Sequence, residues 1–183
     1  MVMLFLADGF EEIEALTAVD LMRRAGIDVL TVGVTGKTVT GSHNIEVAAD
    51  ITAKEAAKRL AAGEVPEMVV LPGGMPGSRN LDASPVVDAY LRAAADADAY
   101  IAAICAAPFV LGRRGLLDGR RATCYPGFEK DLIGAEVADA GVVTDGKRIT
   151  GRAMGSATAF ALALVAALRG SDTAEKIKQS IIA

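Results

Sequence analysis

Three short runs in this chain are apolar at every position, and each stops at a cluster of small or acidic residues. Residues 2–7 run into Asp8-Gly9, residues 68–71 into Pro72-Gly73-Gly74, and residues 100–104 into Cys105. A strand wetted on one side alternates apolar with polar residues, so runs without alternation require a sheet covered on both faces. Helical periodicity fills the gaps, over residues 10–25 with Gly26 at its C′ position, then 52–62 and 85–97. A further strand is predicted at 28–34. Beyond Cys105 another strand-to-helix step reaches Gly112, and residues 142–145 and 148–150 flank a hairpin turn at Asp145-Gly146-Lys147. Two helices, 155–168 and 173–182, close the chain, separated by Gly170 with Asp172 as the expected cap. This alternation predicts a doubly wound α/β sandwich, its sheet mostly parallel with antiparallel additions, in a single domain of residues 1–183.

Composition narrows the functional classes. At 183 residues and 52% hydrophobic, the chain has apolar surface enough for one core and is not disordered. Thirty-five alanines against five Phe and three Tyr predict small residues packed around Val, Ile and Leu. Two cysteines make no disulfide framework and lack metal-ligand spacing, and the single histidine, His43, excludes a multi-histidine metal or haem site. No metal is expected. A net charge of −4 and a pI near 5.1 argue against a nucleic-acid groove, so Arg113-Arg114 and Arg120-Arg121 read as a solvated face. The longest uncharged stretch, residues 153–168, is shorter than the roughly 20 residues of a membrane span and reads as a buried helix. The apolar start has no basic region before it and runs directly into acidic residues, which predicts a first strand in place of a signal peptide and a cytoplasmic protein.

Ligands of doubly wound sheets sit at the carboxyl ends of the strands, near a topological switch point. Cys105 ends one such strand, with Ala103 and Ala107 two residues to either side. A nucleophile on a sharp strand-to-helix turn needs small neighbours at those places, and a helix starting just beyond would lower the thiol pKa. The same residues read equally well as a buried structural thiol. Glu14 falls between Leu21 and Ala25 inside the apolar arc of the first helix. Burial there would keep its carboxyl protonated and able to donate to a thiolate; otherwise it snorkels to solvent or faces Arg24. Glu11, three residues after Asp8, reads as the back-bonding partner of a capping box. Gly73-Gly74 is either a tight turn or a place where backbone N–H groups approach a ligand. It matches neither a dinucleotide fingerprint nor a P-loop, so no nucleotide cofactor is expected.

The segments Ala7-Asp8-Gly9-Phe10-Glu11-Glu12-Ile13-Glu14, Val19-Asp20-Leu21-Met22-Arg23-Arg24-Ala25-Gly26, Leu71-Pro72-Gly73-Gly74 and Ala102-Ala103-Ile104-Cys105-Ala106-Ala107-Pro108 occur in an order that resembles the ThiJ/PfpI superfamily, nearest to its parkinsonism-associated deglycase (DJ-one) branch. The resemblance covers essentially the whole chain. It implies a flavodoxin-like sandwich of the class I glutamine-amidotransferase-like kind, and a homodimer packed partly through the first helix. It assigns Cys105 as an oxidation-prone nucleophile, Glu14 as the carboxyl bonded to it, and Gly74 and Ala106 as oxyanion donors. Tyr125 stands where well-known members carry a histidine, and Ala106 where the protease-like branch does, so no Cys–His dyad forms and peptidase activity loses its base. The implied position of His43 is at the surface or subunit interface; Met154 replaces a proline common in relatives.

Two functions follow from one site. The first is cysteine-dependent chemistry on a small aldehyde or a glycated adduct, a glutathione-free glyoxalase or deglycase in which Gly73, Gly74, Ala106 and Tyr125 surround the substrate. The alternative is an oxidative-stress sensor or redox-regulated chaperone using oxidation of the same cysteine.

Overall fold

A computed structural model describes Met1–Ala183. In chain order the elements are β1 (Val2–Leu6), α1 (Glu12–Arg24), β2 (Val29–Gly33), β3 (Thr38–Thr40), β4 (Glu46–Ala48), β5 (Ile51–Thr52), α2 (Ala53–Ala61), β6 (Met68–Leu71), α3 (Gly77–Asp82), α4 (Pro85–Asp96), β7 (Tyr100–Ile104), α5 (Pro108–Gly112), β8 (Arg121–Ala122), β9 (Glu136–Val137), β10 (Val142–Asp145), β11 (Arg148–Gly151), α6 (Ala157–Arg169) and α7 (Ser171–Ser180). The central sheet has the order β10-β11-β7-β6-β1-β2-β5. Every pair in it is parallel except the β10–β11 hairpin at one edge.

The unalternating strands are buried on both sides, as their sequences require. Val2, Leu4 and Leu6 of β1 pack with α1 and α6, while Met3 and Phe5 pack with α4 and α5 residues such as Tyr90 and Val110. The same alternation splits β7, with Ile101 and Ala103 on one face and Ala102 and Ile104 on the other. The chain leaves β1 towards β2 and later returns to β6 on the opposite side. That reversal opens a crevice at the carboxyl ends of β1, β6 and β7.

Local signals set the helix ends. Thr52 and Glu55 form a reciprocal capping box on α2. Ser84 caps α4 with Pro85 in the first turn. Gly26, at φ +68°, closes α1, and the Ile27 N–H reaches back to Met22 O at 3.0 Å.

Several expectations are corrected. No Asp8–Glu11 capping box exists: α1 starts at Glu12, and Asp8 Oδ1 accepts the Thr40 N–H at 2.9 Å instead. Asp172 caps nothing, because α7 already begins at Ser171 after Gly170. Arg113 and Arg114 are not merely solvated. Arg114, with its side chain 17% exposed, bonds Asp82 at 2.6 Å and Asp88 at 3.0 Å, and Arg113 reaches Asp82 and Asp131. No helix is long and apolar enough to cross a membrane.

Candidate functional site

Strand β7 delivers Cys105 into the crevice in a left-handed backbone conformation, φ +66°, which non-glycine residues rarely adopt. Two hydrogen bonds hold it there. Its N–H donates to Gly151 O at 2.9 Å, and its carbonyl accepts the Tyr125 N–H at 2.8 Å. The bend carries the side chain to the face that holds α1, where Cys105 packs half-buried. Cys124 belongs to the cluster on the opposite face of the sheet.

Glu14 meets it from α1. Only 1% exposed, it sits on the apolar arc as its helical position predicts, and Arg24 bonds Asp20 instead of reaching it. Its Oε2 accepts the Gly73 N–H at 2.9 Å. Gly73 has to be glycine: a methyl there would lie 2.5 Å from Glu14 Oε2 and 2.6 Å from Cys105 Cβ, so carboxyl and cysteine converge on one point. Glu14 Oε1 is buried and closes no hydrogen bond of standard geometry. The carboxyl and the Cys105 side chain nevertheless face one point beside Gly73.

The two acids perturb each other. Burial pushes the Glu14 carboxyl up to about 7, against the pull of contacts to Cys105 and the Gly73 N–H. Burial and the Glu14 carboxylate push the Cys105 thiol up to about 12, while the Ala106 and Gly74 N–H groups favour its ionised form. The helix behind the sulfur, α5, is five residues long and begins only at Pro108, so it brings a short dipole to the site.

Neither the Gly74 nor the Ala106 N–H donates to a backbone carbonyl. Both act on the sulfur. Gly74 adopts φ +87°, and a side chain there would strike Gly9 O and the Glu11 N–H. Beside the sulfur lies a hollow of about 200 Å³ lined by Gly74, Met75, Cys105, Ala106, Tyr125 and Phe128. The candidate residues Cys105, Glu14, Gly73, Gly74, Ala106 and Tyr125 thus come together. Met75 and Phe128 were not singled out by sequence, because both lie in irregular turns with no periodicity to place them.

His43 is exposed, and its Nδ1 sits 2.9 Å from Glu12 Oε2. Its backbone N–H donates to Glu12 Oε1 at 2.7 Å. These hydrogen bonds outweigh burial and hold Glu12 down near 2, while His43 is raised chiefly by its bond to Glu12. Glu11, Glu12 and His43 bring their ligand atoms within 4.8 Å of one another, the one grouping with metal-ligand character. The Glu12–His43 bond already occupies two of the three. Met154 belongs to this neighbourhood, in a hollow it shares with Ile13 and Ile45, and not to the Cys105 hollow.

The match to known proteins follows the whole of this frame. Residues 1–167 fit the DJ-1/PfpI family. The chain belongs to that family. It is 36% identical to the Parkinson disease protein 7 homolog of Danio rerio over 98% of this chain and 95% of the relative. It is 31% identical to a deglycase of Pyrococcus abyssi, covering 87% and 93%, and 29% identical to a glutathione-independent glyoxalase of Caenorhabditis elegans, covering 88% and 84%. Among solved structures, a cysteine-to-alanine mutant of a DJ-1 superfamily protein from Salmonella typhimurium superposes with a TM-score of 0.91 at 38% identity, covering 99% and 97% of the two chains. Oxidized DJ-1 from Toxoplasma gondii superposes at 0.92 and 32% identity with the same coverage. The flavodoxin-like α/β sandwich of this DJ-1/PfpI chain is the fold of those relatives.

Proposed function

We propose that this DJ-1/PfpI chain converts small 2-oxoaldehydes to 2-hydroxy acids without glutathione, and by the same groups hydrolyses early glycated adducts. The observation that carries this reading is the convergence of Glu14 and Cys105 on Gly73 beside two N–H groups that donate to no backbone carbonyl. The names of the glyoxalase and deglycase relatives support the substrate class.

For methylglyoxal, the Cys105 sulfur adds to the aldehyde carbon while its proton passes to the Glu14 carboxylate. The new oxyanion is held by the Gly74 and Ala106 N–H groups and then takes that proton from Glu14. Glu14, ionised again, removes the hydrogen of the former aldehyde carbon as a proton and returns it to the neighbouring carbon, while the hydroxyl proton of the first carbon moves to the oxygen of the second. The first carbon is oxidised to a thioester and the second reduced to an alcohol. Water then cleaves the thioester, releasing lactate and the thiol. With no histidine beside the sulfur, its proton passes to Glu14 alone, which makes turnover slow. Lactate formed from methylglyoxal by purified protein, with no thiol cofactor added, is the expected result; methylglyoxal loss without lactate would overturn the reading.

Oxidation at the same sulfur is a second reading, favoured by the placement of Cys124. A Cys105 thiolate attacks hydrogen peroxide, forming an S–O bond as the O–O bond breaks, and the displaced hydroxide takes up a proton and leaves as water. Cys124 packs across the sheet, so the sulfenic acid has no partner in its own chain and proceeds with a second peroxide to the sulfinic acid. Intact mass after mild peroxide should show two added oxygens, mapped to Cys105. Oxidation of Cys124 first would end this reading.

The assembly proposed is a cytoplasmic homodimer of single-domain subunits, paired through α1. Ile13 and Leu16 of α1 are 50% and 39% exposed, and Ile45 and Met154 beside them are 52% and 48% exposed. That apolar patch is continuous with the hollow shared by Ile13, Ile45 and Met154. Sedimentation should report twice the 18.8 kDa chain mass for the native protein and one chain for Ile13→Lys. A native monomer would refute the pairing.

A further inference from the structure

We infer that the hollow beside Cys105 selects neutral 2-oxoaldehydes bearing an aromatic or branched apolar substituent and turns away anionic ones. The inference rests on the carbonyl reading above and deepens it. The hollow of about 200 Å³ is lined beside Cys105 by Met75, Tyr125, Phe128, Gly74 and Ala106, and none of these carries a charge. A carboxylate or phosphate on the substrate would leave water without finding a countercharge. The charge that acts on the sulfur is that of Glu14, which has the same sign.

The aromatic wall is fixed before any ligand arrives. Phe128 stacks on Phe109 with ring centroids 6.0 Å apart and planes 19° from parallel. The Arg113 guanidinium stands 4.7 Å from the centre of the Phe109 ring. Arg113 also bonds Asp131, three residues beyond Phe128, at 3.0 Å, so one cation ties both the supporting ring and the loop. At the other end, the Phe128 N–H donates to Tyr125 O at 3.1 Å, and the Tyr125 N–H to the Cys105 carbonyl at 2.8 Å. The walls are therefore hung from the bend that presents the sulfur. A preformed wall recovers most of the transfer energy of an apolar group because little is lost in ordering it. Methylglyoxal offers this wall one methyl group; phenylglyoxal offers a ring that can lie against Phe128.

The test compares kcat/KM for phenylglyoxal, methylglyoxal and the anionic 2-oxoaldehyde 4-carboxyphenylglyoxal in the native protein, Phe128→Ala and Phe128→Leu. Phenylglyoxal should exceed methylglyoxal by about 10–200-fold, the range for added apolar contact in a pocket, with 4-carboxyphenylglyoxal negligible. Phe128→Ala should narrow the gap between the first two by slowing phenylglyoxal far more than methylglyoxal. Phe128→Leu, which keeps apolar bulk should the alanine variant fail to fold, should fall between. Equal rates for the first two, or turnover of 4-carboxyphenylglyoxal at a rate matching phenylglyoxal, would overturn the inference. A second readout needs no turnover: alkylation of Cys105 by phenacyl bromide, iodoacetamide and iodoacetate, each normalised to its rate with a free thiol. The expected order is phenacyl bromide, then iodoacetamide, then iodoacetate, and a preference for iodoacetate sinks the inference. Absence of all aldehyde turnover with that labelling order intact would refute the carbonyl reading and leave the selectivity of the hollow standing.

Discussion

Cys105→Ser should lower lactate formation from methylglyoxal by about 10³-fold or more. A hydroxyl is a weaker acid than a thiol by several pK units, and each unit costs tenfold in the fraction that can be ionised. Glu14 has to take the proton from sulfur as the sulfur adds to the aldehyde. Against an alcohol the same carboxylate is too weak a base. Shape does not explain the loss, since serine keeps the Cβ and both backbone hydrogen bonds that fix the bend. A product assay by chromatography reads the effect directly. Retention of even a tenth of the native rate would remove the sulfur from the mechanism.

Glu14→Gln should slow the reaction by about 10²–10⁴-fold, the usual worth of a general acid–base group, and should change its pH dependence. In the native protein kcat/KM should rise with pH through about 7 as the carboxyl ionises. That rise should vanish in the variant. The thiol should move the other way: without the Glu14 carboxylate it loses part of what pushes it up to about 12, and alkylation should report a lower value. Stability supplies an independent sign. The folded carboxyl titrates above its ordinary value of 4.5, so the folded state holds a proton that the unfolded state has released between 4.5 and about 7. The native protein therefore loses stability as pH rises through that window. Glu14→Gln cannot ionise and keeps an oxygen for the Gly73 N–H, so above pH 7 it should be the more stable protein, by on the order of 3 kcal/mol. Urea unfolding at pH 5 and pH 8 checks this. A variant less stable than native at pH 8 would contradict the assigned burial effect.

The site was legible in sequence wherever a local pattern carried it. Unalternating strands predicted where β1, β6 and β7 end, and helical spacing alone put Glu14 on the buried side of α1. What stayed hidden depended on partners distant along the chain. Asp8 looks like a cap until the β3–β4 hairpin supplies the Thr40 N–H, and those three-residue strands, each partly exposed, carry too little pattern to read. Arg114 looks like a surface residue until α3 and α4 bring Asp82 and Asp88 to it. The strand-to-helix bend is visible in sequence, but the depth of burial and the brevity of α5 belong to the assembled crevice.

The left-handed turn at Cys105 bears on how this protein can be engineered. A non-glycine residue in that conformation costs on the order of 1–3 kcal/mol, and glycine there would relieve it. Heat-based screening of random libraries rewards that exchange while discarding the reactive atom. Thermostabilisation campaigns on this scaffold therefore need a thiol-reporting counter-screen, or their winners will be robust and chemically silent.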